Sequence, residues 1–163
     1  MNIQIREFCQ SDLSEAIMIW NQVVTDGNAF PQTDCLDETT GLHFFQSQSY
    51  TGVAFDEDTG IVTGIYILHP NNVGHCGHIC NASYAVRTDI RGQHIGERLV
   101  KHCMETAGGL GFKILQFNAV VTSNTAAIRL YKKLGFTKLG NIPDGFQMDD
   151  GTYQDIILYY HSL

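Results

Sequence analysis

The stretch from Asn124 to Phe136 reads Asn-Thr-Ala-Ala-Ile-Arg-Leu-Tyr-Lys-Lys-Leu-Gly-Phe, and its pattern is typical of a short amphipathic helix. Ser123 or Asn124 supplies the N-cap. Gly135 stands where a helix commonly ends in a left-handed residue. Between these signals, apolar residues that include Tyr131 recur at the spacing of one helix face. We therefore predict a helix with defined ends whose apolar face packs on the rest of the domain.

A second stretch, from Val86 to Gly96, leaves a predicted strand and enters another helix. The first turn of a helix has unpaired N–H groups at the positive end of its dipole, and glycines let an anion approach this backbone. Arg91 adds a cation, so the segment predicts a pyrophosphate site. The alternative is an ordinary strand-to-helix turn. Neither Gly-x-Gly-x-x-Gly nor a loop ending in Gly-Lys-Ser/Thr is present.

Strands and helices alternate around these two segments, with no linker or internal repeat between them. Alternating apolar residues and turn signals predict strands at 2–8, 50–55, 61–68, 78–86, 114–121, 136–147 and 152–160. Helical spacing predicts further helices at 13–26, 37–47 and 95–107. The segment His69–Asn72 should break the third strand. The order predicts an α/β fold with one mixed sheet and helices on both faces.

Length and composition limit the classes of function. The 163 residues fit a single domain, 1–163, and 44% apolar residues suit a globular core. A net charge of −7 argues against nonspecific nucleic-acid binding. No signal peptide or membrane span is evident, and the five scattered cysteines are typical of reduced thiols. We expect a cytoplasmic protein without nucleic-acid or membrane partners.

Together, the two quoted segments resemble the GCN5-related N-acetyltransferase (GNAT) family. The resemblance rests on Arg-Gly-x-x-Ile-Gly opening a helix, then a strand, then Asn-x-x-Ala-x-x-Leu-Tyr-x-Lys-Leu-Gly-Phe. The second motif is specific, whereas the first has His94 where the family usually has glycine. The resemblance covers nearly the whole chain. It implies a single GNAT domain whose mostly antiparallel sheet splays between two parallel strands, here 78–86 and 114–121.

The resemblance also implies acetyl-CoA as co-substrate, bound in that splay. Main-chain groups near Tyr84 and Val86 would pair with the pantetheine arm, and backbone N–H groups from Arg91 to Gly96 would hold the pyrophosphate. Tyr131 would protonate the CoA sulfur, although the residues alone favour a core tyrosine. The implied cofactor-binding residues are Tyr84, Val86, Arg91, Gly92, Gln93, His94, Ile95, Gly96, Asn124 and Tyr131.

The implied reaction is direct attack of a neutral amine on the thioester in a ternary complex. An alkylamine is almost fully protonated at pH 7, so a base should assist. Many relatives have a glutamate on the strand before the phosphate loop, but Ile79–Tyr84 contains no carboxylate. Water, His78 and Asp155 are the candidates. Backbone N–H groups of the same strand could stabilise the oxyanion.

A narrower resemblance concerns the acceptor. Gly77–Ala82, Phe117–Val120 and Gly135–Pro143 look similar to fungal acetyltransferases that act on proline analogues such as azetidine-2-carboxylate. It implies that Asn81 and Asn118 lie in the substrate cleft and act there with Tyr131. The pair could bind a carboxylate, or could merely satisfy backbone groups. The expected reaction is acetyl transfer to a small-molecule amine, an amino or imino acid being one candidate.

Two other functions are compatible with the sequence. A non-catalytic acyl-CoA sensor fits the altered glycine motif and the missing carboxylate. A protein N-acetyltransferase would need an open peptide groove. His75, Cys76, His78 and Cys80 contain potential metal ligands, but alternate residues on one strand are nearly 7 Å apart, so we expect no metal. A homodimer is one implied assembly, because dimers are common in the family.

Overall fold

The computed structural model describes residues 1–90 and 92–163, which form a seven-stranded sheet flanked by helices. Arg91, a predicted pyrophosphate ligand, lies outside the described residues. The strands are β1 Ile3–Glu7, β2 Tyr50–Asp56, β3 Val62–Pro70, β4 Ile79–Val86, β5 Ile114–Val121, β6 Thr137–Gln147 and β7 Tyr153–Ser162. The helices are α1 Leu13–Asp26, α2 Glu38–Gln46, α3 Ile95–Gly109 and α4 Thr125–Lys133.

The order of strands in the sheet is β1-β2-β3-β4-β5-β7-β6. Neighbours are antiparallel except for β4 and β5. All residues of β4 and β5 are described, and only two pairs join these strands to each other: Ile79 with Ile114, and Cys80 with Leu115. Beyond Cys80 the strands separate, while β3 stays paired with β4 as far as Val86. The predicted α/β fold, with a mixed sheet splayed between two parallel strands, is confirmed.

Helices cover both faces of the sheet, as predicted, and each face has its own apolar core. The core under α3 and α4 includes Tyr66, Leu99, Cys103, Leu115, Phe117 and Tyr131. The core under α1 and α2 includes Trp20, Phe45, Val53, Ile65 and Ala85. Strand β4 contributes Cys80 and Ala82 to the first core and Ala85 to the second. It is therefore held from both faces where it leaves β5.

The ends of the helices follow the predicted signals. Gly27, after α1, has a φ of 66°, and Gly135, after α4, has a φ of 83°. Asn124 rather than Ser123 caps α4, because its side-chain Oδ1 accepts a hydrogen bond from the Ala127 N–H at 3.3 Å. Since α4 begins directly after β5, this cap fixes the first turn of α4 beside the splay.

Two local predictions were wrong. Strand β3 does not break at His69 but continues to Pro70, which lies opposite Cys80. A proline is tolerated there because it ends the strand, where a missing N–H costs little. Cys76 lies in a 3₁₀ turn, Gly74–Cys76, so it does not alternate with Cys80 along one strand.

Residues 1–90 and 92–163 contain neither a metal-binding cluster nor a membrane-spanning helix. No cluster of three or more His, Cys, Asp or Glu side chains there has the geometry of a metal site. None of the helices there combines the length and the apolar character that a membrane crossing requires.

The contact between Gly52 and Tyr66 is a sensitive point of the core. These residues face each other across β2 and β3, and the fully buried Tyr66 ring lies on the glycine. A Cβ atom on Gly52 would lie 2.0 Å from Tyr66 Cε1. The ring cannot easily move away, because its hydroxyl is 2.9 Å from His102 Nδ1. The glycine is therefore required by packing.

We predict that Gly52→Ala lowers the free energy of unfolding by about 3 kcal/mol, the upper end of typical overpacking costs. Urea unfolding followed by circular dichroism measures this loss. The matched control is Gly108→Ala in α3, where a Cβ would meet nothing within 4 Å. It should be neutral or stabilising by up to ~1 kcal/mol, because alanine favours helix. Equal stabilities of the two variants would contradict this account of the core.

Candidate active site

Two adjoining cavities open where β4 leaves β5. The first, which we call the helix groove, has a volume of about 600 Å³ and lies between the end of β4 and the starts of α3 and α4. The second, the splay cleft, has a volume of about 340 Å³ and lies between β4, β5 and α4. Tyr84 and Asn124 line both, so the two cavities are neighbours.

The structure brings the described candidate residues together around these cavities. Those that line the helix groove are Tyr84, Val86, Gly92, Gln93, His94, Ile95, Gly96 and Asn124. Those that line the splay cleft are Asn81, Tyr84, Asn118, Asn124 and Tyr131. Tyr131 thus lies in the inner cleft rather than at the phosphate end of the groove. Residues from β4, β5, α3 and α4 meet here because the sheet opens between the two strands.

The start of α3 forms one end of the helix groove. The first intrahelical bond runs from the Arg98 N–H to the His94 carbonyl, at 3.1 Å. The N–H groups of residues 95–97 therefore have no partner within the helix. A Cβ on Gly96 would have no neighbour closer than 3.9 Å, so space remains beside this turn. Such a turn can accept a phosphate group.

His94 adopts an unusual backbone conformation at the start of α3. Its φ of 57° and ψ of 19° lie in the left-handed region, which glycine adopts at little cost. This is the position at which the family pattern has glycine, so the chain retains the glycine-like backbone with a larger side chain. The His94 side chain is 80% exposed, and therefore it extends into solvent rather than the core.

A carboxylate that sequence reasoning missed also lies in the helix groove. Glu97 receives hydrogen bonds from Lys101 at 2.8 Å and from Lys133 at 2.6 Å. The bonds from Lys101 and then Lys133 lower the pKa of Glu97 to about 2. The spacing of Glu97 and Lys101 was a usable signal. The contact with Lys133 joins α3 to α4 and has no local signature in the sequence.

Tyr131 is both a core residue and a cleft residue. Its ring lies 4.4 Å from that of Phe117 and 5.4 Å from that of Phe136, centroid to centroid. Burial raises the pKa of its phenol above the ordinary value near 10. Tyr131 also lines the splay cleft. At neutral pH its phenol is therefore protonated, as a proton donor must be.

Asn81 and Asn118 lie in the splay cleft, and each has its amide oxygen occupied. Asn81 Oδ1 accepts from the Ala82 N–H at 2.8 Å, and Asn118 Oδ1 accepts from Gln116 Nε2 at 3.0 Å. The pairing of β5 with β7 is interrupted between Phe117 and Val120, which leaves Asn118 outside the regular ladder. Asn81 thus satisfies a backbone group, which was the alternative to a role in substrate binding. The amide nitrogens of both asparagines nevertheless retain N–H donors for another partner.

The two side-chain candidates for the base do not reach the cleft. Neither His78 nor Asp155 lines it, and Asp155 Oδ1 accepts from the Asp144 N–H in the β6–β7 hairpin. Its described lining contains neither a carboxylate nor an imidazole. Tyr84 and Tyr131 are the titratable groups there, and burial raises the pKa of the Tyr84 phenol well above its usual range.

The hydroxyl of Tyr84 is a second feature that the sequence did not reveal. It is buried beside the Cys103 thiol, which is a weak hydrogen-bonding partner, and it makes no hydrogen bond of regular geometry to any described residue. Its ring packs edge-on against Phe117 at 5.9 Å. Because sequence reasoning considered only the main chain of Tyr84, this buried hydroxyl was not expected.

Comparison with known proteins identifies the family. The model of the acetyltransferase (GNAT) family matches residues 17–136, which include β4, the start of α3 and all of α4. The chain belongs to the GNAT acetyltransferase family. Its family assigns it to the acyl-CoA-dependent N-acyltransferases, with acetyl-CoA as co-substrate.

Two curated relatives narrow the comparison. The N-acetyltransferase aca1 of Schizosaccharomyces pombe is 35% identical over 100 residues, which are 60% of this chain and 48% of that protein. The chain thus matches about half the length of this relative. The L-methionine sulfoximine/L-methionine sulfone acetyltransferase of Pseudomonas aeruginosa is 27% identical over 149 residues, 88% of this chain and 85% of that enzyme.

Solved structures agree with the observed fold. A GCN5-related N-acetyltransferase from Kribbella flavida has a TM-score of 0.89 at 29% identity, covering 99% of this chain and 98% of that one. The yncA protein of Salmonella typhimurium, solved with its cofactor acetyl-CoA, has a TM-score of 0.91 at 21% identity, covering 100% and 95%. At 21% identity, the similarity to yncA concerns the fold alone. The narrower resemblance to proline-analogue acetyltransferases stays a prediction.

We predict that His94→Gly is more stable than His94→Ala by about 1 kcal/mol, because only glycine adopts the left-handed backbone without a Cβ penalty. Urea unfolding of both variants measures the difference. Equal stabilities would show that the backbone at this position is not strained. Calorimetric titration with CoA then shows whether the backbone or the side chain of His94 affects CoA affinity. If both variants bind CoA more tightly than the wild type, the loss of the imidazole is the cause, because both variants lack it.

Proposed function

We propose that this protein transfers the acetyl group of acetyl-CoA to the amine of a small amino or imino acid, by direct attack in a ternary complex. The observation that carries the proposal is the pair of amide donors, from Asn81 and Asn118, in an uncharged cleft beside the helix groove. The two sites are adjacent, as transfer between two bound substrates requires. We take residues 1–163 to act as one catalytic domain.

The amides favour an acceptor with a carboxylate. Both Asn81 and Asn118 use their oxygen within the protein and keep N–H donors for a ligand. Donors suit an anionic oxygen, and they would not bind an ammonium group. The Pseudomonas relative is named for acting on methionine sulfoximine and methionine sulfone, which are amino acids. The size of the cleft, about 340 Å³, supports a small acceptor over a peptide.

The helix groove supplies features that suit the co-substrate. The first turn of α3 would hold the pyrophosphate with its free N–H groups, and Arg91 would add a charge. Beyond Cys80, β4 makes no pair with β5, and Asn81 bonds the Ala82 N–H on this edge. Main-chain groups near Tyr84 and Val86 would pair with the pantetheine arm. Asn124, at the junction of both cavities, would lie beside the end of that arm.

Two protons must move during the transfer. Tyr131 would give its proton to the sulfur of CoA as the carbon–sulfur bond breaks, and would regain one from solvent. The raised pKa keeps this phenol protonated before the reaction. The amine loses its own proton to water, because the described lining of the cleft has no carboxylate or imidazole. The acceptor must therefore enter as its scarce neutral form.

The direct test mixes the protein with acetyl-CoA and a pool of amines, and measures the mass gain of one acetyl group on any product. The pool contains azetidine-2-carboxylate, hydroxyproline isomers, methionine sulfone and polyamines. Mass detection is preferred to thiol release, because Cys9, Cys35 and Cys76 are exposed and would react with a thiol reagent. Product from an amino or imino acid supports the proposal. Binding of CoA without any product would instead indicate a non-catalytic acyl-CoA sensor.

We predict that Tyr131→Phe lowers kcat about 100-fold, the lower end of the usual contribution of a general acid, while CoA affinity stays unchanged. Steady-state kinetics and calorimetric titration with CoA check both values. The matched control is Tyr159→Phe, whose ring contacts Tyr131 at 5.8 Å but does not line the cleft. Equal losses of kcat in the two variants would mean that removing either hydroxyl simply perturbs the core.

The pH dependence follows from the same groups. We predict that kcat/KM for the amine rises about tenfold per pH unit toward the pKa of the amine, near 10. Because burial raises the pKa of Tyr131, the proton-donating form persists below pH 10 and is lost only above it. Initial rates from pH 6 to pH 10 test this profile. A fall in rate between pH 7 and pH 9 would assign the acid to another group.

A further inference from the structure

Three side-chain amides form a continuous chain of hydrogen bonds at the edge of the splay cleft. Gln116 Nε2 donates to Asn118 Oδ1 at 3.0 Å, and Asn118 Nδ2 donates to Asn71 Oδ1 at 2.6 Å. We call these three residues the amide relay. Only its middle member, Asn118, lines the cleft, among the described residues.

The outer members of the relay come from opposite sides of β4. Gln116 lies on β5, two residues before Asn118, and a shared hydrogen bond shows that both side chains lie on one face of the strand. Asn71 directly follows β3, and its own N–H donates to the Ile79 carbonyl at 2.8 Å. Because β4 lies between β3 and β5, the Asn71–Asn118 bond crosses β4 and links the two flanking strands.

The relay determines which atom Asn118 offers to a ligand. A free carboxamide can turn over and exchange its oxygen and nitrogen, since the two ends have nearly the same shape. In the structure Gln116 holds the oxygen end and Asn71 holds the nitrogen end. With one lone pair of its oxygen bonded to Gln116 and one N–H bonded to Asn71, Asn118 keeps its second N–H as a donor, and Asn118 lines the cleft. The amino or imino acid that receives the acetyl group therefore meets an N–H donor of Asn118.

We propose that Asn71 is a positioning residue that acts through Asn118 to keep an N–H group directed at the carboxylate of the acceptor. The inference rests on the proposed function and adds a residue that sequence reasoning did not select. Asn71 belongs to the segment 69–72, which was expected only to end a strand. Its contribution is selectivity for a carboxylate over a neutral group, rather than the chemical step.

The experiment uses the amino or imino acid that the wild-type protein acetylates and the corresponding carboxamide. Asn71→Ala should raise KM for the acid about fivefold, the equivalent of one neutral hydrogen bond of ~1 kcal/mol. KM for the carboxamide should rise less, because a neutral carbonyl accepts a weaker hydrogen bond than a carboxylate does. KM for acetyl-CoA and kcat should stay nearly unchanged, so the preference for the acid falls. Gln116→Ala removes the hydrogen bond to Asn118 Oδ1 and should also lower the preference for the acid.

The matched control is Asn72→Ala. Asn72 is the same residue type at the next position, but its side-chain oxygen accepts from the Val73 N–H, at 2.8 Å, and it is not part of the relay. It should retain the wild-type preference. In the background of Asn118→Ala, the substitution Asn71→Ala should have no further effect, because its influence passes through Asn118.

Each other outcome overturns a defined part of the argument. If Asn71→Ala behaves like Asn72→Ala while the wild type turns over the acid, the inference is wrong and the proposed function stands. Additive effects of Asn71→Ala and Asn118→Ala would also refute it, as would parallel changes in kcat and in KM for acetyl-CoA, which indicate a structural role. If the wild type acetylates only amines without a carboxylate, or none, the proposed function and the inference both fail.

Discussion

Only two residue pairs join β4 to β5, whose residues are all described, and the candidate site depends on this early end of the pairing. A parallel pair that continued past Cys80 would fill the backbone hydrogen bonds of both strands and close the sheet. Because the pairing stops, β4 has a free edge and a gap opens toward α4. Both cavities, the unpaired main-chain groups and the two asparagines owe their positions to this separation.

The separation needs support from the rest of the fold, since unpaired strand edges are costly when buried. Strand β3 pairs with β4 from Cys80 to Val86, and β7 pairs with β5 on either side of the interruption at Asn118. Between the two strands, the rings of Tyr84, Phe117 and Tyr131 contact one another in sequence. This aromatic wedge fills the gap on the α3 side, while the opposite side stays open around Asn118.

The sequence predicted most of the fold because the signals involved are local. The apolar period of α3, the cap at Asn124 and the glycine at Gly135 each act within a few residues, and the structure has all of them. The expected break at His69 failed for a related reason. We expected the strand to end before Pro70, but proline is tolerated at the last position of a strand.

The candidate site was predicted less completely, because its geometry depends on contacts between distant segments. The resemblance placed Asn81, Asn118 and Tyr131 in one cleft, and the structure brings them together there. It did not indicate that Asn71 bonds to Asn118, that Lys133 reaches Glu97, or that the Tyr84 hydroxyl is buried beside the Cys103 thiol. Each of these pairs residues far apart in the chain or depends on packing, so no short motif encodes it.

The carboxylate shared by Lys101 and Lys133 has a mechanical consequence for the groove. Glu97 joins the first turns of α3 to the last turn of α4, the two helices that border the cavity. With a pKa of about 2, its charge is constant across the physiological range, so acidity leaves this tie intact. Both ammonium groups are more than half exposed, however, and at 1 M salt the screening length falls to ~3 Å. We therefore expect the tie between α3 and α4 to weaken as ionic strength rises and to be insensitive to pH across the physiological range.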